Sequence, residues 1–362
     1  MMLKSLGKFL FLHFLNRSQL LKVLKVRLAI NSFQFYPEFS GRSSLYHLAI
    51  LLKTKTDKKT ALIPDYICNV VNAALEKADY KIQTYQTNDR LEPDIEELKE
   101  AISNPDIGIL LTASIYGSSA FLEELNCNEF KNLIFAKNIH VIVDLCQDIR
   151  LIEKLPENYG NNLTAVLSFN DKSFLGIMGG GILAKFTINS PEEKLNFFQI
   201  SFLYKILLLK FIKIVLISSS IGKKVFLMLK KLKYLVKYLI SIRQELDIKN
   251  TQPNYDYSCC SFFPYTINLY QIQKVQLIMA ILGLEDLKRL KKIKMEIFGK
   301  NIKYNSMQNF QTSPYLVLED ESELESLSRN IKSPYALHHK REHSLRPDIT
   351  VIHNKGFDDE LE

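Results

Sequence analysis

Between about residues 40 and 190 the apolar positions follow two alternating rhythms. In "SSLYHLAILLK" and "ICNVVNAALEKA" they recur every three to four residues, which predicts helices. In "TALIPDYI" they form a compact run that reads as a strand entering a turn. "IGILLTASI" and "HVIVDLC" are β-branched runs of the kind buried on both faces of a parallel sheet, and "FLEELNCNEFKNLIFAKN" between them has helical spacing. "TAVLSF" and "GGGILAKF" add two further strands. The alternation predicts an α/β fold, a mostly parallel sheet flanked by helices, with its chemistry at the C-terminal ends of the strands.

Both flanks break this rhythm. Residues 1–37 begin "MMLKSLGKFLFLHFLNRSQLLKVLKVRLAI", a run in which basic residues continue through the apolar ones and no small-residue cleavage site follows. This predicts an amphipathic helical segment and not a signal peptide. Residues 194–244 contain no Asp or Glu and carry lysines throughout, three of them (Lys205, Lys210 and Lys213) inside the most apolar span. A bilayer-crossing helix needs about 20 residues with few charges, so two basic amphipathic helices broken near "SSSIG" are expected. Such helices suit an anionic membrane surface, a packed helical pair or a dimer face. From residue 251, "TQPNYDY" reads as a linker, "QIQKVQLIMAILGLEDLKRLKKIKMEIFGKNI" as a long helix and "SPYLVLEDESELESLSRNI" as a strand followed by a helix. The expected divisions are 1–37 (N-terminal helical), 38–193 (large α/β domain), 194–250 (basic helical insert) and 251–362 (smaller C-terminal α+β domain). No internal repeat is visible.

Hydrophobic residues make up 47% and charged residues 24% of the 362, with no long low-complexity tract, so the chain is globular. The net charge of +8 sits largely in the basic middle. Lysines alternate there with aliphatic residues and not with base-stacking aromatics, which argues against nucleic acid. Five cysteines (Cys68, Cys127, Cys146, Cys259 and Cys260) show no paired metal-ligand spacing and fit a reducing compartment. His338, His339 and His343 lie among Lys340 and Arg341 without nearby carboxylate or thiolate ligands, so no metal is expected.

Candidate chemistry gathers at three places. "SFNDKSFLGIMGGG" (168–181) combines Ser168, Lys172 and a run of glycines, without the G-x-G-x-x-G spacing of a dinucleotide site. "GRSS" places Gly41, Arg42 and Ser43 where a helix begins, and free N–H groups with the positive end of the helix dipole can hold a phosphate there. It is also a common helix start. Asp144 closes an apolar strand, where a carboxylate can serve chemistry or merely cap a helix.

Read in order, "GRSSLYHL", "LIPDYIC", "DRLEPDIEELKEAI", "TASIYG", "VIVDLCQD" and "LSFNDKSFLGIMGGGIL" resemble the DegT/DnrJ/EryC1/StrS family, sugar aminotransferases of pyridoxal-phosphate fold type I. The resemblance spans roughly residues 38–186 and, more weakly, 264–290. It implies an aspartate-aminotransferase-like fold with pyridoxal 5'-phosphate as cofactor. Asp144 would pair with the pyridinium nitrogen, Gln147 would lie near the ring, and Gly41, Arg42, Ser43 and Ser168 would hold the phosphate. Val143 stands where the family's block has an acid, and Ser114 where it often has His, while Tyr116 and Gly117 agree.

The lysine departs from the family's spacing. There it follows the phosphate serine by five residues, but here Ser173 holds that position and Lys172 lies one residue early. A loop one residue shorter brings Lys172 to the cofactor as the Schiff-base amine. Without a gap, Ser173 replaces the lysine and the chain is either an inactive, membrane-peripheral relative with an assembly role or a variant that binds the cofactor without a lysine. A second departure is Phe262, Phe263, Pro264 and Tyr265, where the family commonly has an Asn-Tyr-Arg-like run reaching the neighbouring subunit. The resemblance implies a keto-sugar substrate, nucleotide-linked and destined for a surface polysaccharide, with glutamate as amino donor. It also implies a homodimer in the cytoplasm, with residues 194–244 available to the inner membrane surface.

Overall fold

The computed structural model describes residues 2–87, 92–114, 119–146, 149–169, 179–217 and 267–284, with three short strands at 315–318, 336–338 and 350–353. Its centre is a 7-stranded sheet in the order β1-β7-β6-β5-β4-β2-β3. The strands are β1 (Gln34–Glu38), β2 (Thr60–Pro64), β3 (Lys81–Tyr85), β4 (Ile107–Ala113), β5 (His140–Asp144), β6 (Leu163–Ser168) and β7 (Gly180–Ala184). From β3 through β6 every neighbouring pair is parallel. Strand β7 is antiparallel to β6 and to β1, so β1 points the same way as the parallel set. The α/β reading therefore holds, and β2, β4, β5, β6 and β7 fall where the apolar runs put them.

Helices cover both faces. On one, α3 (Gly41–Lys53) and α4 (Asn69–Lys77) bury Leu45, Leu48, Leu52, Val71 and Leu75 against Ile63, Ile109, Ile142 and Val166 of the sheet. On the other lie α1 (Met2–Phe14), α2 (Arg17–Arg27), α5 (Ile95–Ile102), α6 (Ala120–Leu125), α7 (Asn128–Ala136) and α8 (Phe197–Ile217). Leu20, Leu24, Leu98, Ile134, Leu203 and Leu207 are fully buried on that side. Helix α2 starts cleanly because Asn16 and Gln19 form a capping box, each side chain accepting from the other's backbone N–H.

Several expected boundaries move. The sheet begins at Gln34, inside the segment 1–37 expected to be helical, because β1 pairs along its whole length with β7. The single helical pattern over 121–138 is two helices, α6 and α7, divided at Cys127, the N-cap of α7. Residues 267–284, expected in the C-terminal domain, end in a helix over 274–284 whose Val275, Leu277, Ile278 and Met279 are buried in the main core. Helix α8, expected in a separate basic insert, gives Leu203 and Leu207 to the same core. Its described residues run to Ile217; the expected break near "SSSIG", the second basic helix and the linker expected after 251 lie outside the described residues. Strands β8 (Tyr315–Leu318), β9 (Ala336–His338) and β10 (Thr350–His353) form an antiparallel sheet in the order β8-β10-β9.

Candidate active site

The carboxyl ends of β1, β4, β5 and β6 meet the start of β7 along one edge of the large sheet. Ladder register fixes who stands beside whom: Ala113 opposite Asp144, Asp144 opposite Val166, and Gly180 between Ser168 and Glu38. Three of the expected site elements, Asp144, Ser168 and the start of α3, therefore converge here although Gly41 and Ser168 stand 127 positions apart in the chain.

Asp144 leaves the sheet in a locally closed turn. Its carbonyl accepts from Ser114 N (2.9 Å) and Ser114 Oγ (3.3 Å), Leu145 N donates to Val166 O (2.9 Å), and Cys146 N donates to Asp144 Oδ1 (2.8 Å). This side chain to backbone turn is the usual behaviour of Asp at a chain reversal. Burial is the largest influence on the carboxyl and pushes its pKa up; hydrogen bonds from the Cys146 thiol and backbone N–H pull it back down. No cation faces it among the described residues. A carboxylate held by two donors and without a counter-charge among the described residues fits a protonated ring nitrogen, which would relieve the penalty of burial.

The start of α3 is shaped for close approach. Ser40 is the N-cap: its Oγ accepts from Ser43 N (3.1 Å), lies 2.9 Å from Ser43 Oγ, and its carbonyl accepts from Ser44 N and Ser44 Oγ (both 2.9 Å). Ser43 is thus fully buried in the cap, and the helix end nearest the sheet edge is Gly41 and Arg42. A Cβ on Gly41 would stand 2.6 Å from Ser168 Cβ and 3.1 Å from both Ser168 Oγ and Cys146 Sγ. Only glycine lets the helix N-terminus, with its partial positive charge, come this near the Ser168 hydroxyl, and that pairing fits a phosphate.

The glycine run has a packing role. A Cβ on Gly180 would lie 2.6 Å from Gly41 N, Leu167 O and Ser40 C, so this residue lets α3 start against the sheet. Gly179 has φ +138, which L side chains rarely adopt, and its carbonyl accepts from Phe169 N (2.8 Å). From behind, the 274–284 helix braces the approach: Gln276, fully buried, donates from Nε2 to Phe39 O (3.0 Å), and Tyr270 packs edge-on against Phe39 at 5.5 Å.

Lys172 and Gln147 lie outside the described residues, as do Tyr116 and Gly117. Sequence reasoning gave no site role to Ser40 or Cys146, and it read Gly180 only as part of the glycine run and not as the residue that seats α3. The first was legible as a Ser three residues before a capped N–H; the other two act only through neighbours distant in sequence.

No protein-family model matches the chain, and no curated protein matches it. Solved structures do. A DegT DnrJ EryC1 StrS aminotransferase from Brucella abortus aligns at 10% identity over 99% of this chain and 93% of its own, with a TM-score of 0.54. A sugar aminotransferase from Micromonospora echinospora aligns at 12% identity over 92% and 86%, also with a TM-score of 0.54. At such identity the likeness is one of architecture, and the architecture is that of the fold type I aminotransferases.

Proposed function

We propose that this chain is a pyridoxal-phosphate-dependent aminotransferase acting on a keto sugar. The observation that carries the reading is the convergence of Asp144, Ser168 and the glycine-led start of α3 on one sheet edge. The names of the similar structures, aminotransferases of sugars among them, support the substrate class. When bound, the cofactor supplies an electron sink for an amino-group carbon. Asp144 Oδ holds the proton on the ring nitrogen and so keeps that sink positive. Gly41, Arg42 and Ser168, with Ser43 behind them in the cap, hold the phosphate by N–H groups, helix dipole and hydroxyl. The resemblance would put Gln147 beside the ring, and Lys172 Nζ would supply the amine that anchors the cofactor and a base that can hold the migrating proton. The finer reading is a nucleotide-linked sugar for a surface polysaccharide, glutamate as donor, and a cytoplasmic homodimer resting on the inner membrane surface through the basic stretch 194–244.

The one-residue offset of Lys172 favours a second reading, a relative that binds the cofactor without a lysine or has lost activity. Borohydride reduction of the purified protein with pyridoxal phosphate, followed by peptide mapping, separates them. A phosphopyridoxyl group on Lys172, lost in Lys172→Ala, is the expected result. Cofactor retained but not fixed by borohydride would install the lysine-independent reading, and a folded protein that retains none would install the inactive one.

A further inference from the structure

Two helices from distant parts of the chain, α1 and α8, touch each other and, among their described residues, expose large apolar side chains. Each is anchored from within. Leu12 of α1 and Leu203 and Leu207 of α8 are buried in the main core, and Lys274 Nζ donates to His13 O (2.6 Å) at the end of α1. Outward, Phe11 is 63% exposed and Phe14 89% on α1, while Phe198 is 81%, Phe202 46% and Leu209 58% exposed on α8. Phe198, Phe202, Lys205 and Leu209 follow one another at three- and four-residue spacings, so they form one stripe along α8. An apolar patch of this kind marks an interaction surface.

Charge selects the partner. The first acidic residue of the chain is Glu38, and none occurs from 194 to 244, so neither helix contains one. Exposed Lys205 lies inside the stripe. A second copy of the chain seated symmetrically on this face would set lysine-bearing surface against itself. An anionic bilayer complements it instead: ammonium groups meet lipid phosphates while Phe and Leu enter the boundary of the acyl chains. Because Leu203 and Leu207 are held in the protein core, α8 presents its side and not its end.

We propose that α1 and α8 together form one docking face for an anionic lipid surface. The proposal rests on the peripheral placement put forward above for residues 194–244, extends it to α1, and is independent of the transferase reading.

Flotation of the full chain with vesicles of phosphatidylcholine alone, or mixed with phosphatidylglycerol, tests it. The expected result is about tenfold tighter binding to the mixed vesicles, weakened by salt. Lys205→Glu should remove most of that preference. Phe198→Ser with Phe202→Ser, and separately Phe11→Ser with Phe14→Ser, should each weaken binding about tenfold, with unchanged circular dichroism and melting temperature. Binding indifferent to lipid charge overturns the proposal. Anionic binding that survives both pairs of Phe changes leaves the basic stretch as the membrane element and removes this face from it. No vesicle binding by the wild type removes both, and self-association abolished by the same Phe changes would make the face a contact between copies.

Discussion

The two ends of β5 carry ionisable groups under the same pressure and answer it differently. At the amino end, burial together with nearby Lys55 pushes the His140 pKa down to about 3. Its neutral ring is well accommodated, with Nε2 3.0 Å from Thr164 Oγ1 and its edge against Phe186. At the carboxyl end, burial pushes Asp144 the other way, toward the protonated acid, yet the chain supplies donors for the charged form. A neutral imidazole with its partner in place is a finished structural feature. A carboxylate given donors but no counter-ion among the described residues suits the protonated ring of the proposed cofactor, and in that reading the asymmetry distinguishes the two ends of the strand.

The sharpest way to break this comparison is Asp144→Asn, which keeps an acceptor for Cys146 N and removes the charge. Transamination should fall by about 10²–10³-fold, the usual loss for a single electrostatic group aimed at the reacting system. The cofactor-free protein should become more stable at neutral pH, read as a higher melting temperature, because a raised carboxyl pKa penalises the ionised folded state. A lower melting temperature for the variant would mean that Asp144 is a structural residue like His140.

Gly180→Ala probes the contact between β7 and α3. Its Cβ would press on backbone atoms of Ser40, Gly41 and Leu167, so urea unfolding should show a loss of roughly 1–3 kcal/mol, together with weaker retention of pyridoxal phosphate. Unchanged values would mean that α3 can retreat without consequence for the site.

The amino end is tested by acid. His140 is neutral when folded but titrates near 6.5 when unfolded, so its neutral form stabilises fully above pH 6.5. That stability is lost as pH falls toward the folded value, about 2 kcal/mol by pH 5. The buried Glu38 carboxyl and Asp144, both raised, act in the opposite sense, destabilising the fold as pH rises through their own titrations. His140→Gln should therefore flatten the loss of stability between pH 6.5 and 5. An acid limb that persists unaltered in the variant would assign it to other groups.

The smallest effect is expected from Ser40→Ala. Losing the acceptor for Ser43 N should cost about 1 kcal/mol by chemical denaturation and loosen the phosphate end of the site without touching Asp144. An intact cofactor affinity would show that the cap serves stability alone.

Strands buried on both faces, such as Ile107–Ala113 and His140–Asp144, announce themselves as continuous apolar runs, and so does the periodicity of α3 and α4. Edge strands do not. Gln34–Glu38 contains Pro37 and an exposed Gln34, and Lys81–Tyr85 is polar along most of its length, because each is paired on one side only. The site divides in the same way. Asp144, Ser168 and Gly41 stand at the ends of readable elements, whereas Cys146 and Gly180 matter through contacts across the sheet that no local spacing encodes.

By itself, then, the order of apolar and polar residues determined the alternation of strands and helices, because burial repeats with the geometry of each element. It also determined the acid-free charge pattern of both flanking segments. Only the tertiary structure decided that Gly41 lies against Ser168, that residues 267–284 brace Phe39 from the main core, and that α1 and α8 share one apolar face. These pairings join residues far apart in sequence, and their closeness comes from how the sheet and its helices pack, which no window along the chain contains.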